Sequence, residues 1–253
     1  MAFHAEQRGP VLVLTIDRPE KRNSLDGEVL DGIGAGMARA DSDPEIRVVV
    51  LTAVGDKAFC AGMDLGGFAR GDSRQASHMA DFTRWQRKGI SKPVIAAVNG
   101  TAVAGGFELV LACDLVVASD QAKFGLPEVK RGLLPAGGGF LLGRRVPPAV
   151  ASELCLLGDM FGAQRAYELG LVNRVVAADK VMEEAFVLAD GIVANAPLSV
   201  SALQRLVRVV PDLDLDAAWE LFATIQPGVF ASEDAKEGAT AFVEKRPAQW
   251  KGR

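Results

Sequence analysis

Short apolar, β-branched runs alternate with longer mixed segments over the first part of the chain. Residues 11–16 (VLVLTI), 47–52 (RVVVLT), 93–98 (PVIAAV) and 115–118 (LVVA) read as strands ended by turn formers or charge. The second is continuously apolar, which predicts burial on both faces. Between them, 25–40, 73–88 and 106–112 read as helices, the first weakened by Gly27, Gly32, Gly34 and Gly36 and the second polar. Alternation of this kind predicts an α/β fold with largely parallel pairing. After about residue 145 strand character survives only at 172–176. Segments 150–157, 163–169, 180–195, 198–209, 215–225 and 234–245 read as helices. The expected organisation is a sheet-containing core over 1–195 and a C-terminal helical region over 196–253, packed on the core or on another subunit.

Composition narrows the chemistry. The 253 residues are 49% hydrophobic and 24% charged, with a net charge of -4, which excludes general disorder and argues against a nucleic-acid surface. Cys60, Cys113 and Cys155 are isolated in apolar surroundings without zinc-ligand spacing and read as buried reduced thiols. The chain has 2 His, His4 and His78. That scarcity, with no Gly-x-Ser-x-Gly and no His-Glu-x-x-His, argues against Ser-His-Asp triads and metal sites. Gly32-Ile33-Gly34-Ala35-Gly36 lies inside a helix and lacks the last glycine of a dinucleotide loop. Gly137-Gly138-Gly139 lacks the Lys-Ser/Thr of a phosphate loop and reads as tight backbone packing at a helix start. The start of the chain lacks the apolar core of a signal peptide, and no apolar run reaches membrane-spanning length. A soluble, cytoplasmic protein without membrane contact is expected.

Carboxylates and backbone dipoles are left to carry any chemistry. Three segments follow strands: 57–65 (KAFCAGMDL), 98–109 (VNGTAVAGGFEL) and 124–128 (FGLPE). Small residues recur at strand C-termini, where open α/β folds place ligands. Gly105-Gly106 opens a helix whose free N–H groups favour negative charge. Glu108 stands among Phe107, Leu109, Val110 and Leu111. Such a carboxyl is paired or functional, and the segment alone leaves both open.

These segments resemble the crotonase, or enoyl-CoA hydratase/isomerase, family. The likeness runs through Arg22-Asn23-Ser24-Leu25, Phe59 to Leu65, Asn99 to Leu109, Cys113-Asp114-Leu115, Phe124 to Glu128, Gly170-Leu171-Val172-Asn173 and Phe242 to Arg246. The resemblance implies a spiral of repeated strand-strand-helix units whose C-terminal helices build a homotrimer or a dimer of trimers. It implies an acyl-CoA thioester substrate, no metal, and no cofactor beyond the coenzyme A of the substrate. The shared chemistry is a thioester enolate held by two backbone N–H groups, which map to Met63 and Gly105. One such donor is typically worth ~3 kcal/mol of transition-state stabilisation.

Hydratases of the family use two glutamates, matched here by Glu108 and Glu128. The resemblance casts Glu108 as the base that orients water and Glu128 as the acid that protonates the α-carbon. Reversible hydration of a 2-trans-enoyl-CoA to a 3-hydroxyacyl-CoA is the activity this implies. The alternatives are a carnitinyl-CoA dehydratase type acting on crotonobetainyl-CoA, a Δ3-Δ2-enoyl-CoA isomerase using one glutamate, and a non-catalytic acyl-CoA-binding protein. For CoA the resemblance points to Arg22 at the nucleotide phosphates and to the backbone of Ala61, Asp64 and Leu65. It also points to Phe242 and Lys245 reaching a neighbouring subunit's CoA. Segment 66–89 is expected to shape the acyl pocket. Two departures stand out: Ala136 in Pro135-Ala136-Gly137-Gly138-Gly139 occupies a usual glycine position, and Phe107 replaces a smaller residue, as in the carnitinyl-CoA dehydratase branch.

Overall fold

In the computed structural model, which describes residues 1–64, 66 and 77–253, strands β1 (Phe3–Arg8) and β2 (Val11–Ile16) form an antiparallel hairpin. The charged N-terminus is therefore a strand, in which Phe3 alone is buried. From β2 onward the pairing is parallel, through β3 (Val48–Ala53), β5 (Val94–Val98), β7 (Leu115–Ser119) and β10 (Arg174–Val176). The 6-stranded sheet has the order β1-β2-β3-β5-β7-β10. A second sheet of 4 short strands, β4 (Ala58–Cys60), β6 (Thr101–Val103), β8 (Lys123–Gly125) and β9 (Phe161–Gly162), lies beside it.

Each central strand of the large sheet feeds a short strand of the small one and then a helical segment. β3 and β4 lead to helix Met79–Lys88, β5 and β6 to helix Gly105–Ala112, and β7 and β8 to the 3-10 turn Pro127–Arg131. This is the spiral of strand-strand-helix units that the sequence implied.

The two-residue period of the strands sorts their side chains onto two cores. Leu12, Leu14, Ile16, Val49 and Leu51 pack on one face with Val29, Ile33 and Met37 of helix Gly27–Ser42. Val11, Val13, Val48, Val50, Ile95 and Val117 pack on the other with Val181, Ala185 and Ala189 of helix Val181–Val193. β3 is buried at every residue, as its unbroken apolar run predicted. Each fully buried Val or Leu contributes roughly 1.5–3 kcal/mol. The glycine row of helix Gly27–Ser42 is a packing device: a Cβ on Gly32 would meet Phe3 at 2.3 Å and one on Gly36 would meet Leu14 at 2.6 Å.

From Pro197 to Glu244 the chain is mainly helical, through Pro197–Val209, Leu215–Phe230 and Glu233–Glu244. The first two bury no residue completely. Helix Pro197–Val209 is tied to the core through Asp114, whose carboxylate accepts from Val94 N (2.8 Å), Gln204 Nε2 (2.8 Å) and Arg208 (2.6 Å). Removing one member of a half-buried charged network leaves its partners unpaired. Asp114→Ala is expected to cost about 2–3 kcal/mol, read as a lower midpoint in urea; an unchanged midpoint would show that the helix is held otherwise.

Candidate active site

The site is assembled from the ends of the short strands. After β4 the chain turns through Gly62 (φ 88°), and Met63 forms an isolated parallel bridge to Leu25. That bridge is made by Leu25 N to Gly62 O (2.8 Å) and Asp64 N to Leu25 O (3.0 Å), so the Met63 N–H is left over. After β6, Ala104 adopts φ 51°, ψ -130°, a sparsely populated conformation for a residue with a Cβ. It is held by Ala104 N donating to Gly125 O (2.9 Å) and by its carbonyl accepting from Glu108 N (3.0 Å). Gly105 follows as the first helical residue, where an N–H has no partner within its helix. Neither the Met63 nor the Gly105 amide has an acceptor among the described residues. The two are neighbours: a Cβ built on Gly105 would stand 3.8 Å from Met63 N. Gly106 is obligatory, since a Cβ there would lie 2.0 Å from the Cys60 carbonyl oxygen.

Glu108, one turn into this helix, is 4% exposed. Its Oε1 accepts from the backbone of Gly137 (2.7 Å) and Gly139 (2.8 Å). The glycine triplet thus opens the 3-10 helix Gly139–Arg144 and turns its amides onto the carboxylate. Burial raises the pKa of Glu108 above the usual carboxylate value, and the Gly139 and Gly137 bonds pull against it. Glu128, in the turn after β8, is also buried, and its Oε2 has no hydrogen-bond partner among the described residues. Its pKa is raised too, by burial first and then by the charge of Glu108, with its own backbone amide and Arg131 opposing. Glu108 stands one turn along the helix that Gly105 opens, Glu128 is near enough to feel its charge, and the two carboxyls differ in how well their charged forms are solvated.

The other expected residues fall in different places. Arg22 (φ 52°) is exposed with no side-chain partner among the described residues, and its carbonyl accepts from Ala61 N at 3.1 Å. The amides of Ala61 and Asp64 are engaged within the chain, and the Asp64 carboxylate pairs with Arg18 at 3.3 Å. Leu65 lies outside the described residues. So do residues 67–76, part of the expected pocket segment. Phe242, 86% exposed, and Lys245, the helix C-cap, stand on the terminal helix. No hydrogen bond or ion pair among the described residues joins them to the rest of the site.

Two supports went unread in the sequence. Asn23 is 1% exposed; its Oδ1 accepts from Arg18 N (2.9 Å) and its Nδ2 donates to the carbonyls of Val54 (2.9 Å) and Ala58 (2.7 Å). Arg18 pairs with both Asp26 (3.2 Å) and Asp64, bracing the Met63 loop. The signal for Asn23 was a polar residue embedded in a motif; Arg18 offered none.

Burial pushes the Cys60 thiol up to about 12 and raises Cys113 as well, so both are thiols at neutral pH. His4 pairs with Asp17 (2.7 Å) and His78 with Asp81 (3.0 Å). Among the described residues no cluster of three or more His, Cys, Asp or Glu is placed to hold a metal, and no single helix is long and apolar enough to cross a membrane.

The spiral of strand-strand-helix units, with two buried carboxyls at the ends of its short strands, agrees with the resemblance of the sequence to the crotonases, a class of acyl-CoA thioester enzymes. A family model described as enoyl-CoA hydratase/isomerase matches residues 6–253, and the chain belongs to that family. A carnitinyl-CoA dehydratase of Proteus mirabilis (strain HI4320) is 41% identical over 263 residues, covering 100% of this chain and 99% of that protein. The crystal structure of an enoyl-CoA hydratase from Mycobacterium tuberculosis H37Rv superposes with a TM-score of 0.93 at 44% identity, covering 100% and 99% of the two chains. That of a carnitinyl-CoA hydratase from Mycobacterium avium has a TM-score of 0.77 at 43% identity, with the same coverage. The protein is thus a crotonase-superfamily enzyme, in the group that hydrates, dehydrates or isomerises acyl-CoA thioesters.

Proposed function

We propose that the protein is an enoyl-CoA hydratase, adding water reversibly across the double bond of a 2-trans-enoyl-CoA. The observation that carries this reading is two buried carboxyls of unequal solvation together with the Met63 and Gly105 amides, neither of which has an acceptor among the described residues. The Met63 and Gly105 amides receive the thioester oxygen and hold the negative charge that develops there. Glu108, whose ionised form is solvated by two amides, takes a proton from water as the hydroxyl adds to the β-carbon. Glu128, with an unpartnered Oε2, carries the proton delivered to the α-carbon. The forward step leaves Glu108 protonated and Glu128 ionised, and transfer of that proton from Glu108 to Glu128 resets the pair; addition of water changes no net oxidation state.

Arg22, exposed and without a side-chain partner among the described residues, offers a cation to the CoA phosphates. The main chain at Ala61 and Asp64 lies along the adenine and pantetheine path in this reading, Leu65 being outside the described residues, and Phe242 and Lys245 reach the CoA of an adjacent subunit. The test is loss of enoyl-thioester absorbance with crotonyl-CoA and longer homologues; retained CoA-ester binding without turnover of any enoyl-CoA would overturn the reading. The names of the Proteus and M. avium relatives favour a second reading, the same hydration and dehydration on a carnitinyl thioester. Crotonobetainyl-CoA therefore belongs in the panel.

Self-assembly is part of the proposal. The C-terminal helices present Leu203, Val207, Leu215, Trp219 (62% exposed) and Phe230 to solvent. Apolar surface of this kind marks an interaction face. Light scattering is expected to give a trimer or a dimer of trimers. A monomer at assay concentration would remove both the assembly and the role of Phe242 and Lys245.

A further inference from the structure

Helix Met79–Lys88 is anchored on the core by Phe82 and Trp85, both buried and packed edge to face at 6.1 Å. The next residue, Gln86, is half-buried. With Glu108, Gly137 and Gly138 it lines a cleft of about 580 Å3 between this helix and helix Pro197–Val209. Met63, Gly105 and Glu128 do not border that cleft.

The Gln86 and Glu108 side chains converge over Gly137. A Cβ built on Gly137 would stand 2.7 Å from Gln86 Nε2 and 3.0 Å from Glu108 Oε2, its two nearest neighbours. The φ of Gly137 lies outside the left-handed region, so its backbone conformation does not require glycine. What a side chain there would displace is the approach of the Gln86 amide to the Glu108 carboxyl.

That approach answers an uneven distribution of donors around Glu108. The Gly137 and Gly139 amides both bond to Oε1. Oε2 accepts no hydrogen bond among the described residues, and the Gln86 side chain makes none. The end of Gln86 nearest Oε2 is Nε2, which donates. Catalytic hydrogen bonds are often long before substrate binds and tighten in the Michaelis complex. A carboxylate oxygen has two lone pairs, so Oε2 can accept from Gln86 and still receive a proton from water.

We infer that Gln86 is a positioning residue for the hydration step: its side-chain amide donates to Glu108 Oε2 and, with Gly137 and Gly139 on Oε1, holds the carboxylate in the orientation that takes a proton from water. The inference rests on the hydratase reading, in which Glu108 is the base, and adds a residue to it. A donor on Oε2 favours the charged carboxyl, as the two glycine amides do, against the burial that raises its pKa. Removing the donor therefore moves ionisation of Glu108 to higher pH.

The test is the pH dependence of kcat/KM on a 2-enoyl-CoA that the enzyme turns over. Gln86→Met keeps the length and helix preference of the side chain and removes the donor. It is expected to raise the acid limb by about one pH unit and to lower kcat about tenfold, the scale of one hydrogen bond to a charged group, with KM near the wild-type value. Gln86→Glu sets a second carboxyl against the first and is expected to raise the limb further. Gly137→Ala leaves Gln86 in the chain but drives its amide away, and is expected to raise the limb as Gln86→Met does. Loss of a merely structural contact would lower the melting temperature and leave the limb in place. Thermal melts screen the variants for folding, and where Gln86→Met does not fold, Gly137→Ala decides. An unmoved acid limb in the deciding variant would overturn the inference while leaving the hydratase intact. No turnover of any enoyl-CoA by the wild type would remove the hydratase reading and this inference together.

Discussion

Replacing Glu108 or Glu128 by Gln is expected to lower kcat by roughly three orders of magnitude, within the range for loss of a positioned acid or base. The double variant should be little worse than the poorer single one, because the two carboxyls act as a unit. Near-normal turnover in either single variant would remove the two-carboxyl mechanism, and tolerance of one alone would indicate single-glutamate isomerisation. Stability should move the opposite way. Burial raises both pKa values above 4.5 in the folded protein. A raised carboxyl favours folding most below its unfolded pKa and loses that contribution as pH rises through the folded value. At neutral pH the wild type therefore carries a buried-charge cost that an amide lacks, and the Glu108→Gln variant keeps an oxygen for the Gly137 and Gly139 amides. The glutamine variants are expected to melt above wild type at pH 7 and to converge with it as the pH falls toward the ordinary carboxylate range. A gap that stays constant with pH would refute the shifted carboxyls. The same shifts place the acid limb of the wild-type kcat/KM profile above the usual carboxylate range.

How far the residues announced all this depends on scale. β2 and β3 were legible because their apolar runs are long and uninterrupted. β4, β6 and β8 span 3 residues each, too short to show alternation, yet they carry the chain from the large sheet to the site. β1 looked like a charged terminus because its pairing with β2 leaves 5 of its 6 residues exposed. Glu108 declared itself as a carboxyl inside an apolar helix. Glu128 did not, since Pro127 and Glu128 sit in a turn without period, and only resemblance singled it out. The cleft between helices Met79–Lys88 and Pro197–Val209 was hidden for another reason: Trp85, Gln86 and Arg87 belong to a stretch whose polarity reads as a solvated helix face, and Leu203 and Val207 on its other side lie more than a hundred positions away along the chain. Pairings at that separation leave no local pattern.

The oxyanion role proposed for the Gly105 amide is open to a direct test, although the group is main chain. Gly105 is the first residue of its helix, the position where proline fits, because the N–H it lacks bonds to nothing in the helix. A Cβ there first meets Leu25 Cδ1 at 3.1 Å, the free end of a flexible side chain. Gly105→Ala adds the same carbon and keeps the N–H, whereas Gly105→Pro removes it. Proline also restrains the residue before it, and Ala104 already holds φ 51°. CoA-ester binding by both variants must therefore be measured beside kcat. With binding retained, the proline variant is expected to fall roughly 10²–10³-fold below the alanine variant in kcat, the usual effect of losing one oxyanion donor. The alanine variant itself measures the steric term. Equal rates in the two would mean that the Gly105 amide does not hold the developing charge. Of the two amides without acceptors among the described residues, Met63 alone would then be left for the thioester oxygen, and the proposed two-point support of the enolate would fall.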